Sequence, residues 1–183
     1  MRIGYADPPY PGCAEKYRDH PDFAGEVDHK QLIERLQDEF DGWVLHTHIP
    51  GLLLMSERGL LPKTGVRIGG WFKSFVAFKR NVSVAYAWEP VIIKAARKPE
   101  VSKRMVYRDY CEVPDCIKEP ITLKRGLTGV KPEKVCHWAF ELAGSDPDDA
   151  LADLFPGTLA VTRAWESWRG LFDTSVVADR NAD

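Results

Sequence analysis

The sequence predicts an α/β fold built on a mostly parallel sheet, and three observations carry that prediction. The chain has 183 residues, one domain's worth. Short apolar, β-like runs alternate along it with segments of helical periodicity. Its first strand runs straight into a proline-rich loop, and in open α/β sheets ligands bind at such loops beyond the carboxyl ends of strands. Hydrophobic residues at 44% and charged residues at 28% are ordinary globular values, with eight Phe, six Tyr and six Trp available for a core.

The first strand spans Arg2 to Ala6 and stops at Asp7-Pro8-Pro9-Tyr10-Pro11-Gly12, where three prolines and a glycine forbid regular structure. Asp28 is placed to cap a helix whose Leu32, Ile33, Leu36 and Phe40 recur at helical spacing. Gly42 precedes a buried strand, Trp43 to His48, that ends before Pro50, and residues 51 to 60 form a short helix. β-like stretches follow at Val66 to Phe75 and Val91 to Ala95. From Ala96 to Val130 no period persists and Pro99, Pro114 and Pro120 interrupt, which reads as an elaborated basic loop region with one strand, Arg104 to Tyr110. Lys131-Pro132-Glu133 starts a helix with Val135, Trp138, Ala139 and Leu142 on one face and Gly144 as its stop. Ala150 to Phe155 is the last strand, and Pro156-Gly157-Thr158 turns it into a helix from Leu159 to Trp168. Residues 1–183 carry no repeat or low-complexity segment and read as a single domain.

The net charge of −2 conceals an uneven distribution. Lys63 to Val130 holds 14 Lys and Arg against 6 Asp and Glu, leaving 11 against 21 in the rest of the chain. A basic insert in an acidic frame suits a protein that lays one face on a polyanion, with Lys79, Arg80, Lys103, Arg104, Lys124 and Arg125 as candidate phosphate contacts. Solvation of exposed loops is the alternative account of the same charges. Apolar stretches such as Ile49 to Met55 fall far short of the roughly 18 residues that span a bilayer, and the charged start is unlike a signal peptide. The expectation is a cytoplasmic protein with no membrane partner, its four cysteines, Cys13, Cys111, Cys116 and Cys136, reduced.

The loop after the first strand fits one chemical task, holding an exocyclic amino group on a flat heterocycle. The Asp7 carboxylate and the Pro8 carbonyl are two acceptors close together, Pro8 and Pro9 make them rigid, and Tyr10 offers a flat face for stacking. In these residues the chain resembles the amino-group methyltransferases that use S-adenosylmethionine (SAM) to modify adenine N6 or cytosine N4 in nucleic acid, whose D-P-P-Y motif is matched at all four positions. Asp153-Leu154-Phe155-Pro156-Gly157-Thr158-Leu159 looks like that family's cofactor turn, D-x-F-x-G-S/T-G, departing from it only at Leu159. Lys131-Pro132 matches the dipeptide that precedes the adjoining helix. The catalytic loop comes first and the cofactor turn last, as in circularly permuted members. Gly69 to Lys73 resembles a strand ending in W-x-K, and Ala87 to Ile93 resembles the H/W-E strand of the same group.

The resemblance implies a Rossmann-like class I methyltransferase fold, truncated at one edge. After the helix ending near Trp168 the family usually adds a strand with an acid for the cofactor ribose; here Glu166 or a residue of the tail would have to substitute. It further implies methyl transfer from SAM to a base amino group in DNA, adenine N6 being favoured, with cytosine N4 and RNA adenine as alternatives. Asp7, Pro8, Pro9 and Tyr10 would be catalytic; Asp7, Lys131, Asp153, Phe155, Gly157 and Thr158 would hold the cofactor. The target base must be single-stranded or extruded from a duplex. A homodimer would enlarge the footprint on DNA.

Other readings of the same residues remain. His46 and His48, or Cys111, Cys116, Cys136 and His137, have the residue types of metal ligands, but the spacing is unlike a structural zinc site and no metal is assigned. Trp71, Phe72, Phe75 and Phe78 serve either base stacking or core packing, and Arg163 and Arg169 either cofactor and phosphate contacts or solvation. A catalytically silent module that binds nucleic acid or a partner subunit is the alternative from another class, favoured by Leu159 and the short C-terminus. Methylation of a protein glutamine would call for Asn in place of Asp7, and no cysteine follows a proline as a cytosine C5 mechanism requires.

Overall fold

The computed structural model describes residues 1–19, 23, 25–74, 83–97, 113–122 and 130–172. Its strands are β1 (Arg2–Ala6), β2 (Gly42–His46), β3 (Arg67–Phe72), β4 (Trp88–Lys94), β5 (Cys116–Lys118) and β6 (Ala150–Asp153), joined in one sheet of order β5-β3-β4-β2-β1-β6. β1 pairs in parallel with both β2 and β6, and β3 with β5; β4 runs antiparallel to its neighbours β2 and β3. Among the described residues five strands therefore point one way and β4 is reversed, so the α/β, mostly parallel architecture expected from the sequence is the architecture observed.

Among the described residues four α-helices flank the sheet: α1 (His29–Glu39), α2 (Ile49–Glu57), α3 (Glu133–Leu142) and α4 (Ala160–Gly170). Two apolar clusters form the core. In one, Ile3, Tyr5, Val44, Trp71 and Val91 of the sheet pack with Trp138 and Phe140 of α3 and Trp165 and Trp168 of α4. In the other, Ala6, Trp43, Leu45 and Ile92 pack with Leu32, Ile33 and Leu36 of α1 and Met55 of α2. Adjacent strand residues divide between the two, as alternating side chains require. Burial on both faces explains why β2 reads as a continuous apolar run.

Sequence reasoning places most elements within a few residues. Asp28 caps α1, its carboxylate accepting from the N–H groups of Lys30 and Gln31. Gly144, with φ 63°, ends α3 in the left-handed region where glycine carries no Cβ penalty. The second strand ends at His46 rather than His48, because Pro50 in the first turn of α2 draws His48 into the N-cap position. β4 begins at Trp88, three residues before the expected start, and includes Pro90; this proline stands one residue beyond the last β2 pair, His46 with Val91. The last strand is shorter than expected, ending at Asp153, and α4 starts at Ala160 behind Leu159. Leu142 is only half-buried, while Cys136 and Phe140 fill the face expected of it. β5 falls in the region read as loop; the strand expected at 104–110 lies outside the described residues.

Candidate active site

β1 and β6, the first and last strands, lie side by side and end together. Tyr5 is in register with Asp153, and the Leu154 N–H donates to the Tyr5 carbonyl at 2.9 Å. Parallel pairing thus brings Asp7 and the Asp153 turn to one sheet edge. Because β3 is parallel to β1 and β4 antiparallel, the C-terminal end of β3 and the N-terminal end of β4 reach that edge as well. It is the edge at which open α/β sheets bind ligands.

Lys131 stands at the centre. It precedes Pro132, the N-cap of α3, and its side chain is 4% exposed. Its Nζ donates to Asp7 Oδ1 at 2.8 Å and to the Tyr10 hydroxyl at 3.1 Å, and lies 3.8 Å from Glu89 Oε2. The Tyr10 hydroxyl in turn donates to Glu89 Oε2 at 2.9 Å, and Lys73 Nζ to Glu89 Oε1 at 2.5 Å. Trp71 packs beneath both ammonium groups, 5.2 Å from Lys73 Nζ and 5.7 Å from Lys131 Nζ. His48 stacks on the Tyr10 ring, centroids 5.3 Å apart and planes 19° apart. Two cations and two carboxylates thus share one half-enclosed cluster.

The electrostatics follow from burial and pairing. Desolvation would strip Lys131 of its proton, but Asp7, Tyr10 and Glu89 around it outweigh that and hold the ammonium well above its ordinary range. Burial pushes the Asp7 carboxyl up, with Lys131 opposing. Glu89 is also desolvated, yet Lys131 and Lys73 together hold it below its ordinary value. Desolvation keeps the Tyr10 phenol protonated, so its hydroxyl donates to Glu89.

The Asp153 turn is built by short-range bonds. Asp153 Oδ1 accepts from the Phe155 N–H at 3.3 Å and Oδ2 from the Thr162 hydroxyl at 3.2 Å. Burial raises its carboxyl, and these two donors oppose the rise. Gly157 has φ 41° and Leu159 φ 60°, the one non-glycine residue with positive φ among those described. Leu159 gives α4 no side-chain cap. Between the Lys131-Pro132 turn and α4 lies a cavity of about 240 Å³, lined by Val130, Lys131, Pro132, Ala160, Arg163 and Ala164 among others.

No protein-family model matches the chain, and no curated protein matches it. The crystal structure of the M1.HpyAVI–SAM complex does resemble it, with TM-score 0.55 and 17% sequence identity over 91% of this chain and 78% of that one. The likeness is one of fold. It agrees with the Rossmann-like, mostly parallel α/β architecture expected from the sequence, and the neighbour is a complex with SAM.

Of the residues singled out in the sequence, Asp7, Pro8, Pro9, Tyr10, Lys131 and Asp153 come together at the sheet edge. Lys131 bonds to Asp7 and Tyr10 and also lines the cavity beside α4. Phe155 packs against the apolar cluster of α1 and α2, Gly157 is exposed and Thr158 half-buried. Trp71 is 3% exposed, which makes it a core residue rather than a base platform, while Phe72 is exposed and stacks on Trp88. His46 is buried with Nε2 2.7 Å from the Tyr5 hydroxyl, and desolvation keeps its imidazole neutral. Cys13, Cys116 and Cys136 are free thiols, and burial pushes Cys136 up to about 12. Glu166, Arg163 and Arg169 are exposed on α4. The six candidate phosphate contacts, with Phe75, Phe78 and Cys111, lie outside the described residues. Lys73 and Glu89 had no site role from sequence beyond standing in the two family-like strands, and His48 was weighed only as a metal-ligand type; the available signal was a charged residue closing one strand and another opening the next.

Proposed function

We propose that this chain transfers a methyl group from SAM to the exocyclic amino group of a base in DNA, adenine N6 in preference to cytosine N4. The observation that carries the reading is the Asp7 carboxylate, fixed at the end of β1 by Lys131 and bounded by Pro8 and Tyr10, on a fold whose solved neighbour holds SAM. The residues present suit that cofactor. Asp7 and Asp153 offer negative charge to its sulfonium and amino groups, the cavity beside Lys131 and α4 offers room, and the uncapped first turn of α4 offers N–H donors to its carboxylate. When bound, SAM supplies an electrophilic methyl group.

The chain's own part is orientation and charge. Asp7 Oδ2 and the Pro8 carbonyl accept the two amino hydrogens and aim the nitrogen lone pair, while Tyr10 stacks on the base with the face opposite His48. A carbon–nitrogen bond forms, the sulfur–methyl bond breaks, and the nitrogen's surplus proton leaves to Asp7 or water. The raised Asp7 carboxyl suits it to receive that proton. In this reading the strands stand in circularly permuted order and the basic segment from Lys63 to Val130 meets DNA phosphates. Mass spectrometry of nucleosides from DNA incubated with the protein and labelled donor tests it. Labelled N6-methyladenine is expected; absence of any labelled base in DNA or RNA would leave only a silent module.

A further inference from the structure

Glu89 has no part in the reaction as written above, yet three of the site's side chains, Tyr10, Lys73 and Lys131, converge on it. Its two oxygens are divided: Oε2 accepts from the Tyr10 hydroxyl at 2.9 Å and lies 3.8 Å from Lys131, and Oε1 accepts from Lys73 at 2.5 Å. Pairing of Trp71 with Glu89 across β3 and β4 delivers the carboxylate to the edge, and Lys73 follows one residue beyond β3. The Lys73 N–H also donates to the Ala87 carbonyl at 2.8 Å, which ties the two strand ends together. Glu89 is therefore held by backbone pairing and by Lys73, independently of the loop that carries Asp7.

That loop has few holds of its own. The Gly12 N–H donates to Glu26 Oε1 at 2.8 Å, the Tyr10 carbonyl accepts from the Cys13 N–H at 2.7 Å, and the Tyr10 side chain is fixed by Glu89, Lys131 and the His48 stack. Without Glu89 the phenol keeps one hydrogen-bond partner and loses the acceptor that defines its rotation. Lys131 also loses its second carboxylate, and its charge then rests on Asp7 alone.

We infer that Glu89 is a positioning residue: anchored by Lys73, it sets the orientation of the Tyr10 ring and shares the charge of Lys131, so that Asp7 and Tyr10 present a fixed acceptor and stacking face to the substrate base. The inference rests on the proposed function for its substrate, a nucleobase bearing an amino group. It needs no contact between Glu89 and substrate or cofactor. Its energetic logic is that of orientation, in which a displacement of about 1 Å costs on the order of a hundredfold in rate.

The test combines kinetics with a readout that needs no turnover. In protein carrying 13C-labelled tyrosine, Tyr10→Phe identifies the Tyr10 ring signals, whose shifts report the His48 ring stacked on them. Glu89→Ala is expected to move those signals and to lower kcat roughly 10- to 100-fold, with donor Kd within about twofold of wild type. Glu89→Gln retains an acceptor for the phenol and is expected to restore the Tyr10 signals and part of kcat. The Glu89→Ala, Tyr10→Phe double variant should be no slower than the slower single variant, because both break one contact. Glu89→Met, which keeps the side-chain length, replaces the alanine variant should that fail to fold. Tyr10 signals unmoved in the variant, wild-type kcat, or multiplicative losses would overturn the inference. If wild type transfers no methyl group, the proposed function fails, and the Tyr10 signals alone decide what Glu89 positions.

Discussion

Lys131 Nζ and Asp7 Oδ1 meet at 2.8 Å across 124 residues of sequence, joining the loop after β1 to the turn before α3. The carboxylate assigned to the substrate is thus also the chief counterion of a buried lysine. In the sequence, Asp7 reads as a residue that acts on substrate and cofactor, one whose loss would cost the fold little. The ion pair corrects that reading, since an ammonium 4% exposed cannot be left without its partner at no cost.

Asp7→Ala is accordingly expected to abolish methyl transfer and to destabilise the fold by about 3 kcal/mol, the lower end of the range for breaking a buried pair, because Glu89 remains near Lys131. Adding Lys131→Met should recover part of the stability and none of the activity. Urea unfolding of the single and double variants beside a methyl-transfer assay checks both halves. A single variant as stable as wild type would show that Lys131 does not depend on Asp7.

The parts of the site legible in sequence are those marked by local chemistry. Pro8 and Pro9 end β1 abruptly, Asp28 precedes an amphipathic run, and Pro132 opens α3, so each boundary can be read from neighbouring residues. Lys73 and Glu89 could not be found that way. They meet only because β3 and β4 pair antiparallel, a long-range arrangement that no local period reveals. Trp71 lay in a basic segment and invited a ligand reading, whereas its alternation with Phe72 sends it to the core. β5 is three residues long with an exposed, half-buried, exposed pattern, too short to register as a period.

Asp153 ties its turn together through the Phe155 N–H and Thr162. Asp153→Ala removes both bonds and one negative charge from the edge. Calorimetric titration with SAM should give one site per chain in wild type, weakened about tenfold or more in the variant, as expected on losing a charged hydrogen-bonding group. Equal affinities would place the donor away from this turn.

The basic segment predicts a steep salt dependence. Each DNA phosphate met by Lys79, Arg80, Lys103, Arg104, Lys124 or Arg125 should contribute about 0.9 to the slope of log affinity against log salt on duplex, and about 0.7 on a single strand. Reversing the charges of Lys103 and Arg104 should weaken DNA of every sequence alike while leaving SAM titration unchanged. A flat salt response would assign these charges to solvation.

Leu159 adopts φ 60° and ψ 21° at the position where the resembled turn carries glycine. A left-handed leucine costs roughly 1 kcal/mol or more, and this side chain, 47% exposed, recovers little of that by burial. Leu159→Gly should therefore raise the unfolding free energy by about 1 kcal/mol, seen as a higher urea midpoint at unchanged slope, and should not weaken SAM. A lower midpoint would mean that Leu159 packs in solution against something that offsets its backbone strain.

Asp149 supplies the acid limb of stability. Burial alone would raise its carboxyl, but Arg97 donates from Nη1 and Nη2 at 2.6 and 2.8 Å, and with the other donors around it holds the carboxyl at about 2, against 3.8 ordinarily. A carboxyl lower in the folded than in the unfolded state binds fewer protons there, so its stabilisation is fully present above about pH 4 and disappears as pH falls toward 2. The difference is worth about 2 kcal/mol. Asp7 and Asp153, raised by burial, contribute in the opposite sense, which is why a comparison of variants is needed rather than one acid titration. Asp149→Asn should be about 2 kcal/mol less stable than wild type at pH 7, and the gap should close between pH 4 and pH 2 in urea unfolding measured at each pH. A gap that persists at pH 2 would mean that Asp149 stabilises the β6 entry by shape and hydrogen bonding, without its charge.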